Sequence, residues 1–296
     1  MTSQIKVKEN LIHSLFFFCS VLSIFIMLGI VVVIVTESIG FFREIPVWEF
    51  ITDTQWTPLF TEKHFGILPL LNGTLLVAFG SALVSIPTGS LIAIYLSEYA
   101  SPRVRGVIKP VLEVLAGIPT VVYGYFALTF ITPVILKHVF TDVTTFNAAS
   151  ASIVVGIMTL PMVASVSEDA LSSVPQSLRE GAYALGARKI HVVIGIVYRA
   201  ALSGVFASYI LALSRAIGET MAVTIAAGAT PRLTLNFLES IQTMTAYIVQ
   251  VSLGDTPFGT IEYKTIFAVA LVLFIITLSM NILSNLISSR YRRMYQ

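Results

Sequence analysis

Arg215 and Glu219 stand four residues apart in SRAIGETMAV, residues 214–223, within a stretch that is otherwise apolar. On a continuous helix this spacing puts both side chains on one face. Each ionised group at the centre of a bilayer costs roughly 2.5–3.5 kcal/mol on insertion scales, so charge kept there marks an ion path or a paired lock. A guanidinium stays protonated and offers a planar fork of donors, which suits the oxygens of a small oxyanion. Glu219 could neutralise that charge when the path is empty, and Ser214 and Thr220 could supply hydroxyl hydrogen bonds. The competing reading is an ion pair that only locks helices together.

AGIPTVVYGYF, residues 116–126, is the second candidate. Gly117, Pro119 and Gly124 permit close helix approach and a break in regular hydrogen bonding, while Tyr123 brings a hydroxyl to mid-membrane depth. Pro119 and Tyr123 are candidates for the path or its gate, with a kinked packing seam as the alternative. The chain has no G-x-x-x-x-G-K-[ST] loop, so it does not bind ATP in the P-loop manner. Neither a metal-ligand cluster nor a nucleophile–base pair is present in the sequence, which reads as a non-enzyme without a cofactor of its own. His13, His64, His138 and His191 fall at membrane edges or in loops and read as solvated.

The elements that must position these groups are membrane helices. Hydrophobic residues make up 56% of the 296 and charged residues 11%, with a net charge of +2, against about 25% charged in soluble domains. That balance gives no reason to expect a nucleic-acid partner. Hydropathy predicts six spans, at 13–36, 68–97, 107–136, 147–169, 202–229 and 265–288. The first reads as a retained signal-anchor helix. With the N-terminus inside, twelve Lys and Arg fall in inner segments and five in outer ones, which predicts that both termini are cytoplasmic. FFREIPVWEF, residues 41–50, could lie along the outer interface, with Trp48 and Trp56 as belt residues; the alternative is an ordered loop that only seals the outer face.

The inner loop 170–201 reads as helix, glycine turn, helix. Ser173 and Gln176 fit a capping box with Pro175 in the first turn, and Gly186 offers a stop. Leu178, Ala182 and Leu185 share one face, and Ile190, Val193, Ile194 and Val197 another. As physics alone this is a preformed knob for a cytoplasmic partner.

The same loop resembles that of permease subunits of ABC importers, whose pattern is EAA, three residues, Gly, nine residues, then I-x-L-P. Here Glu180-Gly181-Ala182, Gly186 and Ile196 match, while Gly181, Tyr198 and Arg199 depart from it. SEYASPRVRGVIKPVLEVLAGIPTVVYGYF at 97–126, SRAIGETMAV at 214–223 and WTPLFTEKHFGILPLLNGTLL at 56–76 are similar to stretches of the C-type permease of Pst phosphate importers. The resemblance implies an all-α polytopic fold with six transmembrane helices. It implies a type I importer (MetI-like) core over 67–289, preceded by the N-terminal helix and interfacial segment 1–66 and followed by a basic tail 290–296. It also implies inward phosphate transport in a bacterial inner membrane, with ATP and Mg on the partner. The partners would be a related (PstA-like) permease, two (PstB-like) ATPases, an extracytoplasmic (PstS-like) phosphate-binding protein and membrane lipid. Leu178, Arg179, Glu180, Ala182, Leu185 and Gly186 would couple to the ATPase. A different oxyanion or small solute, or a secondary transporter, are the alternatives.

Overall fold

Backbone groups in hydrocarbon must be bonded within their own segment, so apolar runs of this length become helices. The computed structural model describes residues 2–292, with side chains at Glu9 and over 11–286. The side chains of Lys6, Lys8 and the tail 290–296 lie outside the described residues. In chain order the helices are α1 (Thr2–Phe42), α2 (Val47–Thr52), α3 (Leu68–Tyr99), α4 (Pro102–Gly117) and α5 (Thr120–Val139). Then come α6 (Ala148–Ser172), α7 (Gln176–Ala184), α8 (Lys189–Ala200) and α9 (Leu202–Ile217). The last three are α10 (Met221–Ala227), α11 (Met244–Leu253) and α12 (Ile261–Arg292). Among the described residues five helices are long and apolar enough to cross a bilayer, in α1, α3, α5, α6 and α12. Counting α8 and α9 as one span bent by 70° makes six.

Two predicted spans change shape. The span expected at 107–136 divides, because Ile118 and Pro119 are extended (ψ 130° and 138°). Pro119 has no N–H to donate and pushes the residue before it out of the helical region. The crossing segment is therefore Thr120–Val139. The preceding α4 is a separate amphipathic helix, opened by Ser101, whose hydroxyl accepts from Val104 N. The span expected at 202–229 likewise stops at Ile217 and resumes as α10.

The centre of the bundle is the α3–α6 seam. Gly80 faces Ser152, Val84 faces Gly156 and Gly89 faces Val163, so the two helices run parallel in steady register. A Cβ at Gly156 would stand 2.6 Å from Val84 Cβ and 3.0 Å from Ser81 O, so only glycine allows this approach. Hydroxyls tie α9 to the seam: Ser167 to Ser208, both buried, at 2.7 Å and Ser90 to Tyr209, both half-buried, at 2.6 Å. An aromatic cap of Phe41, Phe50, Trp56, Phe65 and Tyr247 closes one end of the bundle in edge-on pairs. Trp48 is exposed, whereas Trp56, expected in the interfacial belt, is 2% exposed inside this cap. His64, expected to be solvated, faces Asp53 Oδ2 at 3.0 Å.

Candidate functional site

Cut into the end of the bundle opposite that cap is a cavity of about 560 Å³ between α3, α4, α6 and α9. Its lining includes Lys109, Leu112, Glu113 and Ala116 of α4, Met158, Pro161, Glu168 and Asp169 of α6, and Arg215 of α9. The α4 contribution recurs every three or four residues, which is one face of a helix. Arg215 lies in the last turn of α9 and is exposed to this cavity. Among the described residues its guanidinium has no ion-pair partner.

Glu219 is not that partner, contrary to the pairing expected from spacing. The helix ends at Ile217, and residues 218–220 redirect the chain. Glu219 is 8% exposed and its Oε1 accepts from Ala222 N at 3.2 Å, so its carboxylate closes the start of α10. Its backbone oxygen accepts from Thr245 Oγ1 at 2.7 Å, which ties the break to α11. Thr220 sits at the N-cap of α10 and accepts from Thr224 through its carbonyl. Ser214 Oγ is buried without a hydrogen-bond partner among the described residues.

Tyr123 and Pro119 are not part of the cavity lining. Tyr123 is buried, and its hydroxyl donates to Leu115 O at 2.8 Å, bridging the break between α4 and α5. Pro119 is the N-cap of α5.

Glu168 is the buried anchor of the cavity wall. It is fully buried and pairs with Arg105 and with Lys109, the latter at 2.5 Å. Neither Glu168 nor Glu98 was singled out from sequence. The available signal was an acid at the end of an apolar helix, next to a connection rich in Lys and Arg.

The loop after α6 folds as a short helix on a glycine turn, with differences of register. Ser173 does not cap α7: its hydroxyl donates back to Ala170 O, its N–H continues α6, and Pro175 takes the N-cap. Gly186 adopts φ 79°, with Gly186 N bonded to Tyr183 O and Ala187 N to Ala182 O. This is the paired closure of a Schellman motif. Ala182 is buried against Val174 and Val192, while Leu178 is 45% and Leu185 91% exposed. Leu185 leaves the shared face because α7 stops at Ala184. Glu180 is exposed, but Arg179 turns inward to Glu98 at 2.8 Å. In α8 the buried residues are Val192, Val193 and Val197, while Ile190 and Ile194 are exposed. A π-helical turn over Val193–Val197 brings residues five apart, Val192 and Val197, onto one face.

Residues 85–293, from α3 through the loop and the cavity to α12, match the family described as binding-protein-dependent transport system inner membrane component. The chain belongs to that family. This permease is 35% identical over 242 residues to the Bacillus subtilis "Probable ABC transporter permease protein YqgH", covering 82% of this chain and 78% of that one. It is 31% and 32% identical to the phosphate transport system permease proteins PstC of Xylella fastidiosa and Haemophilus influenzae. Each match covers 82% of the permease, and 79% and 82% of the relatives. In fold, it superposes on a chain of the inward-facing MetNI methionine ABC transporter with a TM-score of 0.57 at 17% identity. That match covers 76% of the permease and 94% of that chain. A bacterial alginate ABC transporter chain gives 0.57 at 17% identity, covering 90% and 93%. The permease is thus an all-α, multi-pass inner-membrane subunit with the architecture of ABC importers.

Proposed function

We propose that this permease subunit carries inorganic phosphate inward, with a related permease forming the rest of the path and two ATPases driving it. An extracytoplasmic binding protein delivers the anion, and both termini lie in the cytoplasm. The names of the PstC relatives support the substrate. The observation that carries the mechanism is Arg215, exposed in the cavity with no ion-pair partner among the described residues. Its donors are available to phosphate oxygens, while the carboxylates of Glu113 on α4 and Asp169 on α6, in the same cavity lining, repel the anion. A path needs both, because an ion that binds must also leave. Glu219 and Thr220 act by holding the break beside Arg215, Ser214 through its backbone carbonyl, which accepts from Gly218 N, and Tyr123 and Pro119 by holding the α4–α5 corner. Leu178, Glu180 and Leu185 present the exposed surface of α7 to the ATPase, Ala182 and Gly186 shape that surface, and Arg179 holds it from inside. ATP and Mg are bound by that partner.

The test is uptake by the whole assembly in proteoliposomes. Arg215→Ala reduces phosphate uptake to background while the ATPase still co-purifies. Uptake at the normal rate refutes the path role. Sulfate or molybdate transported in preference to phosphate refutes the substrate assignment.

A further inference from the structure

Resting on the reading of α7 as the helix that docks the ATPase, we propose that Arg179 and Glu98 are positioning residues. They form one end of a polar relay that passes movement of α7 to α4, the wall of the cavity beside Arg215. The relay can be followed atom by atom. Arg179 Nη2 donates to Glu98 Oε1 at 2.8 Å and to Leu171 O at 2.9 Å, and Nη1 donates to Val174 O at 2.5 Å. One guanidinium on α7 therefore grips the end of α3 and the end of α6. Glu98 Oε1 also accepts from Ser97 Oγ at 3.3 Å. Ser172 Oγ, at the end of α6, faces Ser97 Oγ at 3.4 Å and Glu168 Oε1 at 3.3 Å. Glu168 closes the chain on α4 through Arg105 and Lys109.

The two ends differ in stiffness from the middle. Arg179 and Glu98 are 10% and 7% exposed and Glu168 is fully buried, and separating a buried charge from its partner is strongly unfavourable. The hydroxyl links are longer than the roughly 2.5–3.0 Å of ordinary O–H···O bonds, so they are the compliant joints. Ser97 and Glu98 sit in a π-helical turn, Tyr95–Tyr99, a feature that recurs at functional positions. A residue serving only the docking surface would point outward, as Leu185 does; Arg179 points into the bundle.

The experiment reads α4 directly. In the full assembly, with Cys19 replaced by Ser, the Ala116→Cys substitution places a thiol on the cavity face of α4. Its rate of reaction with a water-soluble maleimide is measured without nucleotide and after ATP hydrolysis with the ADP trapped by vanadate. The parent's two rates differ about tenfold, a typical magnitude for coupled sites. In Glu98→Gln and Glu168→Gln that ratio falls to about one, while the ATPase still co-purifies and hydrolyses ATP. A purely structural role would change both rates alike and leave their ratio intact, which overturns the relay. A parent that binds the ATPase but shows no ATP-dependent rate also overturns it. Should either Gln variant fail to assemble, Ser97→Ala with Ser172→Ala is read instead, and an intact ratio there overturns the proposal. A parent with the ATP-dependent rate but no phosphate uptake refutes the substrate assignment alone. A parent from which the ATPase never co-purifies refutes the docking role of α7 and the relay with it.

Discussion

Replacing Arg215 and Glu219 singly and together separates two geometries by their coupling energy. A buried ion pair that loses one member leaves an uncompensated charge, at a cost of about 3–5 kcal/mol. In the structure, Arg215 is exposed and Glu219 instead accepts from Ala222 N. Arg215→Ala therefore changes stability by no more than about 0.5 kcal/mol, the range of ordinary surface changes. Glu219→Ala strands the N–H of fully buried Ala222 and costs about 1–3 kcal/mol. Glu219→Gln keeps an oxygen acceptor in place and stays within about 0.5 kcal/mol of the parent. The double alanine variant matches Glu219→Ala, giving a coupling energy within about 0.5 kcal/mol of zero. Denaturant unfolding in detergent, followed by near-UV circular dichroism, measures all four. A coupling above about 2 kcal/mol, or Gln as costly as Ala, refutes the capping assignment and restores the ion pair.

Four further substitutions have expected outcomes. Gly156→Ala drives a methyl into Val84 and lowers stability by about 1–3 kcal/mol, read from the thermal midpoint in detergent. Gly181→Ala meets nothing within 4 Å and raises stability by about 0.5–1 kcal/mol, whereas Gly186→Ala, held at φ 79°, loses about 1–2 kcal/mol; the same melts check both signs. Leu185→Glu, at 91% exposure, leaves stability within about 0.5 kcal/mol of the parent but abolishes co-purification of the ATPase.

Much of the architecture was legible because it depends on local composition. Apolar length fixes which segments cross a bilayer, and a glycine followed by a restarted apolar pattern fixes the turn at Gly186. The EAA-like loop and the stretches around Pro119 and Arg215 carry the family resemblance in their order alone. What local pattern misses is where a helix stops. Four-residue spacing joins Arg215 to Glu219 only if the helix continues, and it breaks at Gly218. Hydropathy likewise ran α4 into α5, since Ile118 and Pro119 are as apolar as their neighbours while their backbone is extended.

The sequence by itself determined an all-helical fold with up to six spans among the described residues, a charged position within an otherwise apolar stretch and a helix–glycine turn–helix loop, because each follows from the chemistry of neighbouring residues. Only the tertiary structure decided who partners whom. Arg179 meets Glu98 across 81 residues and Arg105 meets Glu168 across 63. A buried charge takes whichever opposite charge the packing of α3, α4 and α6 brings within reach, and that packing is set by small residues along the α3–α6 seam. Arg215 is left with the cavity because Glu219, one helical turn away in sequence, is turned to close the next helix.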